Sequence, residues 1–395
     1  MPIPTPFTIP AGDPSAIVEA YGYPTDVIVA GSGSEQRIQL RSIPRRNLDY
    51  RALTNSRTAQ LLSNLVFGLQ DQLVGVPLWP YAGILTGSVS IGANSLPVVT
   101  SGCPFVVGEW VIVWQDAHTW EAFTIQAVSG SAITTVETAT KSWSSGAAYV
   151  IPLQAGRLPP SQGERWGGST VQTADLQFAL EGGAAGPGSI TLPSYAGFSV
   201  LTVSPNLRDD VDGRTDRRVA VLDNVTGVRA ARVADPAPAG VRSLLWACST
   251  RAAAAELRGF LDARKGRAVP FWCPSGSKDF NLTAAASAGA STLDVESAGY
   301  ADQVFPSGPY RRHVALVAPN GTAQYRKLTN AVNGGAGTDT LTLDAPLSSD
   351  LAIDSHCSVL RLCRLEEDLT RIAWYSAAIA EAQLRMRELP HEVPA

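Results

Sequence analysis

A chain of 395 residues with a formal charge of −4 lacks the basic balance of a protein built to hold a phosphate backbone, so nucleic acid is not an expected partner. Apolar residues at 45% and charged residues at 17% describe a folded chain of several domains, with a surface that is cheap to desolvate against partner chains. No apolar run reaches the roughly eighteen residues of a membrane helix, the start lacks a secretory leader, and five scattered cysteines with no C-x-x-C pair indicate neither a disulfide framework nor a zinc cluster. The expectation is a protein made in a cytoplasm and either left there or assembled into something larger.

Pro2, Pro4, Pro6 and Pro10 keep the first thirty or so residues extended, either loose or laid across a neighbour. A short strand at 27–30 ends in the turn 31–34. Residues 35–40 alternate Gln36, Ile38 and Leu40 with charged and polar neighbours, which predicts a half-buried strand. Arg41, Arg45 and Arg46 around Pro44 read as a solvated turn, with a basic spot that pairs with an acidic neighbour or a nucleic-acid phosphate as the functional alternative, the latter weakened by the lack of an interleaved aromatic platform.

From residue 58 the period changes to three and four, through Leu61, Leu62, Leu65, Val66, Leu69 and Leu73, the stripe of an amphipathic helix over 58–72. Thr58 is its expected cap and Gly75 its expected stop, and Pro77 prevents continuation. A small all-β unit follows. In its strand around 109–114, Trp110 and Trp114 lie on one face and Val111 and Val113 on the other. A strand over 170–180 leads to the glycine-rich link 182–188, the expected boundary between halves. The acidic run 209–213 has neither the spacing nor the terminal Glu of a calcium loop and reads as an exposed turn.

The second half repeats three landmarks in the same order. A helix over 251–264 is followed by Val269-Pro270-Phe271-Trp272, as the first helix is followed by Val76-Pro77-Leu78-Trp79. Leu282-Thr283 and the pattern 289–295, Gly-Ala-Ser-Thr-Leu-Asp-Val, answer Leu85-Thr86 and the pattern 92–98, Gly-Ala-Asn-Ser-Leu-Pro-Val. Arg364-Leu365 answers Arg157-Leu158 at the exit of each small β unit.

The expected fold is therefore mainly β with a few helices: duplicated sheet-plus-helix modules, each carrying a small inserted barrel-like or sandwich-like unit. The expected segments are 1–83 (arm and first module), 84–155 (first small β domain), 156–281 (returning strand, link and second module), 282–363 (second small β domain) and 364–395 (C-terminal strand and tail). A long last strand is expected over 371–388, with a frayed tip after it.

Catalytic patterns are sparse. The four histidines (118, 313, 356 and 391) show no metal-ligand spacing, no nucleophile elbow or phosphate loop occurs, and the adjacent Glu366, Glu367 and Asp368 point to alternate faces of any strand. No enzymatic activity, metal or cofactor is expected. Pro77, Trp79, Pro270, Phe271 and Trp272 are read as structural, with Trp79 and Trp272 locking each helix onto its sheet.

The segments 34–38 and 44–46, together with Leu257-Arg258-Gly259-Phe260-Leu261-Asp262-Ala263-Arg264-Lys265-Gly266-Arg267-Ala268-Val269-Pro270-Phe271-Trp272, resemble the minor tail proteins of long-tailed phages. They are similar to the distal-tail and baseplate proteins of siphophages and gene transfer agents, over about 34–98 and 250–365. The resemblance implies a non-enzymatic virion component at the tail tip. It implies a homo-oligomer, expected as a hexameric ring, that joins the tail tube protein to hub or fibre proteins. Leu78 in place of Phe271, and Gln72-Leu73-Val74-Gly75 against Lys265-Gly266-Arg267, put strict equivalence of the two copies in doubt.

Candidate interface residues are Arg45, Arg46, Arg264 and Arg267, with Leu176 and Phe178 on one terminal strand and Leu384 and Met386 on the other. The alternatives are a receptor- or glycan-binding tail protein displaying Trp114, Trp120 or Trp143, and, further off, a tail-associated cell-wall hydrolase.

Overall fold

The computed structural model describes residues 2–12, 17–167, 171–182, 190–203, 212–223, 225, 227–233 and 237–394. The glycine-rich link from 183 onward and residues 209–211 of the acidic run lie outside the described residues. The fold is mainly β with a few helices. Setting aside three two-residue strands, the described residues hold twelve strands in each half of the chain, and one α-helix in each.

The first half runs β1 (Ile17–Gly22), β2 (Thr25–Val29), β3 (Glu35–Gln39), β4 (Arg45–Asn55), α1 (Ser56–Leu69), β5 (Val74–Pro77), β6 (Ser95–Pro97), β7 (Trp110–Asp116), β8 (Thr119–Val128), β9 (Ala132–Thr135), β10 (Tyr149–Arg157), β11 (Gly163–Trp166) and β12 (Val171–Leu180). The second runs β13 (Gly213–Asp216), β14 (Val219–Leu222), β15 (Ala230–Val233), β16 (Ala239–Cys248), α2 (Arg251–Arg264), β17 (Phe271–Pro274), β18 (Thr292–Glu296), β19 (His313–Val317), β20 (Ala323–Asn333), β21 (Thr338–Leu343), β22 (His356–Leu365), β23 (Leu369–Trp374) and β24 (Ala380–Glu388).

The ladders of the two halves correspond rung by rung. Gly22 pairs with Arg45 as Asp216 pairs with Ala239. Leu48 pairs with Phe178 as Arg242 pairs with Met386, and Arg157 pairs with Ala179 as Arg364 pairs with Arg387. A register shift recurs where β8 meets β9, between Thr134 and Thr135, and where β20 meets β21, between Leu328 and Asn330. Even the arms agree: Pro6 bridges Gly75 in parallel, and Val200 bridges Trp272 in parallel.

The main sheet is ordered β11–β12–β4–β1–β23–β24–β16–β13. The first four strands belong to the first half and the last four are their counterparts in the same order. One sheet thus contains two copies laid head to tail, joined where β1 meets β23.

Local chemistry explains these elements. On β4 the residues Leu48, Tyr50, Ala52 and Thr54 are buried and alternate with outward neighbours, the period of a one-sided strand. The hydroxyl of Thr250 accepts the Ala253 N–H at 3.1 Å and caps α2, whose chain then turns left-handed at Lys265 and Gly266. The first helix starts earlier than its apolar stripe suggests, at Ser56, so Thr58 lies inside it; Asn55 stands at the cap position without a side-chain hydrogen bond.

Several expectations are corrected. The N-terminal arm lies on its own chain, with Phe7 fully buried against β5 and β12 and Ile9 fully buried, its carbonyl accepting from Tyr50 Oη on β4. The strand expected over 371–388 is two, because Tyr375 N–H reaches back to Ile379 C=O and closes a hairpin between β23 and β24. The tip is docked, with Pro390–Glu392 in a 3-10 turn and Glu392 held by Arg37. On β3 the inward face is the charged one: Ile38 and Leu40 are exposed, while Glu35 and Arg37 turn toward partners in the second half.

Candidate functional site at the joint between the halves

Where β1 crosses from β4 to β23, its side chains carry a buried polar cluster. Glu19 is fully buried and accepts hydrogen bonds from Arg46, from Tyr81 Oη at 2.6 Å and from Tyr21 Oη at 3.0 Å. Arg258 on α2 lays its guanidinium 4.6 Å from the centre of the Tyr81 ring and donates to the Gly102 carbonyl at 2.9 Å. A second-half helix thereby reaches into first-half loops, and Arg251 does the same, donating to the Ala82 carbonyl and contacting Cys103 Sγ at 3.3 Å.

Burial pushes the Glu19 carboxyl up, but the charges of Arg46 and Arg258 and the hydrogen bonds of Tyr81 and Arg46 outweigh it and hold it below the ordinary carboxylate range. The rung occupied by Glu19 in the first half is occupied by Gly213 in the second, and that of Arg46 by Gly240. This cluster belongs to the joint and is not repeated.

Above it the hairpin β2–β3 clasps the second half. Thr25 N–H donates to Asp368 at 2.9 Å, and Arg267 bonds both the Thr25 carbonyl (2.6 Å) and Asp368 (3.1 Å). Arg364 grips Glu35 through two bonds of 2.7 and 2.9 Å, and Arg37 grips Glu392 at 2.8 and 2.5 Å. Bidentate arginine–carboxylate pairs of this kind fix orientation as well as charge.

A cleft of about 710 Å³ opens beside the clasp, lined by Glu35, Glu366, Glu388, Arg364, Arg387 and others. Its carboxylates are engaged: Glu366 by Arg387 at 2.7 Å and Glu388 by Arg311 at 3.1 Å. Burial raises Glu35 and Glu366, yet their arginine partners prevail and hold both low, so each is an ionised acceptor and unsuited to donating a proton near neutral pH. Among the described residues, no three His, Cys, Asp or Glu side chains gather as a metal ion would require, and no helix is long and apolar enough to cross a membrane.

The candidate interface residues are placed unevenly. Leu176, Phe178, Leu384 and Met386 are buried in the core on β12 and β24, which are flanked on both sides in the sheet, so neither strand is an edge and these side chains cannot meet another chain. Arg46 is buried on Glu19 and Arg264 is buried with its guanidinium on the Pro270 carbonyl, so both are internal. Arg267 belongs to the clasp, and Arg45 alone of the four arginines is exposed.

The structural residues also sort differently. Phe271 faces α2, edge-on to Phe260 at 5.1 Å, whereas Trp272 points to the opposite side and packs on Tyr195 and His313. Trp79 lies in a 3-10 turn, edge-on to Trp114 at 5.3 Å. By ladder position Val74-Gly75-Val76-Pro77 corresponds to Phe271-Trp272-Cys273-Pro274, so Pro77 matches Pro274 and not Pro270.

Trp143 is buried with its indole N–H toward Glu121 at 3.2 Å, and Trp114 donates to the Thr8 carbonyl at 3.0 Å. Trp143 and Trp114 thus hold a loop and the arm, and Trp120 is half-buried beside Trp110 and Trp114. β4, which pairs with β1 beside the joint, and its counterpart β16 are not among the elements expected from sequence. Alternation of Leu48, Tyr50 and Ala52 is the available signal for β4. The chain matches no protein-family model, and no curated protein matches it.

Proposed function

We propose that this chain is a non-enzymatic structural component of a phage tail tip or baseplate, which assembles as a ring between the tail tube and the hub or fibre proteins. The observation that carries the reading is the main sheet, in which two copies of one unit follow each other head to tail and, among the described residues, leave an open strand at either end. Repeated units in that arrangement suit a ring or tube wall, because a heterologous contact whose rotation divides the circle closes into a ring. The arginine-bound carboxylates of the cleft support a scaffold over a hydrolase. Burial of Trp143 and the internal bonds of Trp114 support it over a glycan platform.

The resemblance to siphophage distal-tail proteins supplies the location, and its six-chain ring belongs to the proposal. Host-cell assembly without membrane insertion, and without nucleic acid as partner, follows from the same reading. Immunogold electron microscopy of the particles tests it: label should gather at the distal end of the tail tube. Particles that lack the chain altogether, or peptidoglycan cleared by the purified protein in a zymogram, would overturn it.

A further inference from the structure

The joint inside the chain describes a contact that its two ends are equipped to make again. We propose that the β13 edge of one copy of this chain pairs antiparallel with the β11 edge of a second copy, continuing the sheet in the order in which its own halves continue it. The proposal names the contact by which the ring proposed above closes, and it rests on that reading for closure alone.

Inside the chain, β1 and β23 meet in a six-rung antiparallel ladder. Their counterparts are β13 and β11, and among the described residues each of these pairs with a single strand, β16 and β12 respectively. A strand with one free side is a ready template for another chain.

Exposure follows the same division. Trp374 on β23 and Trp166 on β11 occupy the same rung relative to β24 and β12, yet Trp374 is 2% exposed and Trp166 is 54% exposed. All four residues of β11 are exposed, while Ile372 and Trp374 on β23 are buried and Ala373 between them is half-buried. A large aromatic left in solvent at one end of the sheet, and covered at the equivalent internal place, marks the surface that lacks its neighbour.

The register follows from the internal joint, whose ladder sets Val18 opposite Ala373 and Ala20 opposite Arg371. Carried onto the equivalent rungs, it sets Asp212 of one copy opposite Arg165 of the next, and Arg214 opposite Gly163. Opposite charges face each other, the arrangement that favours a cross-strand pair. The hairpin β14–β15, exposed at every strand residue, then stands above the neighbour's Arg157, as Glu35 stands above Arg364 within the chain.

The test uses the full-length protein. Arg165→Cys and Asp212→Cys variants are prepared separately, mixed and oxidised. A disulfide joining one chain of each kind is expected, and none from either variant alone. In sedimentation, Arg165→Glu should weaken self-association about tenfold or more, and the double variant Arg165→Glu/Asp212→Arg should restore it; both positions are on the surface, so unchanged circular dichroism and thermal midpoint confirm that the fold is kept. A protein that stays monomeric and forms no 165–212 disulfide overturns the proposal. So does a ring that assembles unaffected by Arg165→Glu and without that disulfide, although the tail-tip reading would survive it. If the disulfide forms but particles carry no label, the contact stands and the tail-tip reading falls.

Discussion

Gly75 and Trp272 occupy the same rung of two equivalent ladders. Gly75 pairs with Ala155 and takes a parallel bridge from Pro6, and Trp272 pairs with Leu362 and takes one from Val200. In the first half the space beside this rung is filled by Leu153 and the Pro4 carbonyl, which would meet a Gly75 Cβ at 2.9 and 3.1 Å. In the second half the same place holds an indole that donates to the Tyr195 carbonyl at 2.8 Å and lies 4.7 Å from the His313 ring. Trp272→Ala should therefore destabilise the protein by about 3–5 kcal/mol through the cavity and the orphaned carbonyl. Chemical denaturation measures this, and a loss below about 1 kcal/mol would contradict the core role.

Acid should act through the joint. The folded Glu19 carboxyl titrates below its unfolded range, so its stabilisation is complete above the unfolded value and is lost as pH falls through the folded one. Glu35 and Glu366 are shifted the same way and add to the acid loss of the whole protein. Glu19→Gln isolates the one contribution: it should cost about 3–5 kcal/mol at neutral pH by leaving Arg46 buried without its counter-ion. The gap between wild type and variant should then narrow below the ordinary carboxylate range. A gap that stays constant as the pH is lowered from neutral through that range and below it, in denaturation midpoints, would show that the charge of Glu19 does not matter.

The two helix starts allow a paired comparison. Thr250 caps α2 through its hydroxyl, while Asn55 at the start of α1 makes no side-chain cap bond. Thr250→Ala should cost about 1 kcal/mol, and Asn55→Ala should be close to neutral. Equal losses in thermal denaturation would mean that the caps are not the difference.

What the sequence discloses depends on which physical signal each element leaves. The second helix is legible to the residue, since Thr250 caps it and Gly266 follows its last turn. The pattern 289–295 is legible too: Leu293 lies opposite Leu341 as Leu96 lies opposite Ile133, and Gly289 and Gly92 share a positive φ. The Val-Pro-x-Trp peptides mislead, because tryptophan recurs four places out of register with the ladder. β12 and β24 suggest edges because both are apolar and terminal in their halves. Their alternation is that of interior strands, whereas the true edges β11 and β13 are short and polar and leave almost no periodic signal. Arg46 and Arg258 leave no mark as core residues, since a buried arginine is recognisable only once Glu19 stands beside it.

The clasp turns on one backbone position. Gly266 has φ +64, and a Cβ there would run into Asp368 Oδ1 and come within 3.0 Å of Tyr23 Cβ. Asp368 holds the Thr25 N–H and the Arg267 guanidinium, so displacing it loosens the hairpin β2–β3 from the second half. Gly92 serves as the control: its φ is +85, and an added Cβ would meet nothing within 4 Å, so Gly92→Ala bears backbone strain alone, about 1 kcal/mol. Gly266→Ala should cost about 2–4 kcal/mol, strain and lost contacts together. It should also accelerate hydrogen exchange at Thr25, which Gly92→Ala should leave unchanged. If both variants lose the same stability and Thr25 exchanges at the wild-type rate in each, Asp368 does not hold the hairpin and the clasp is only a surface contact.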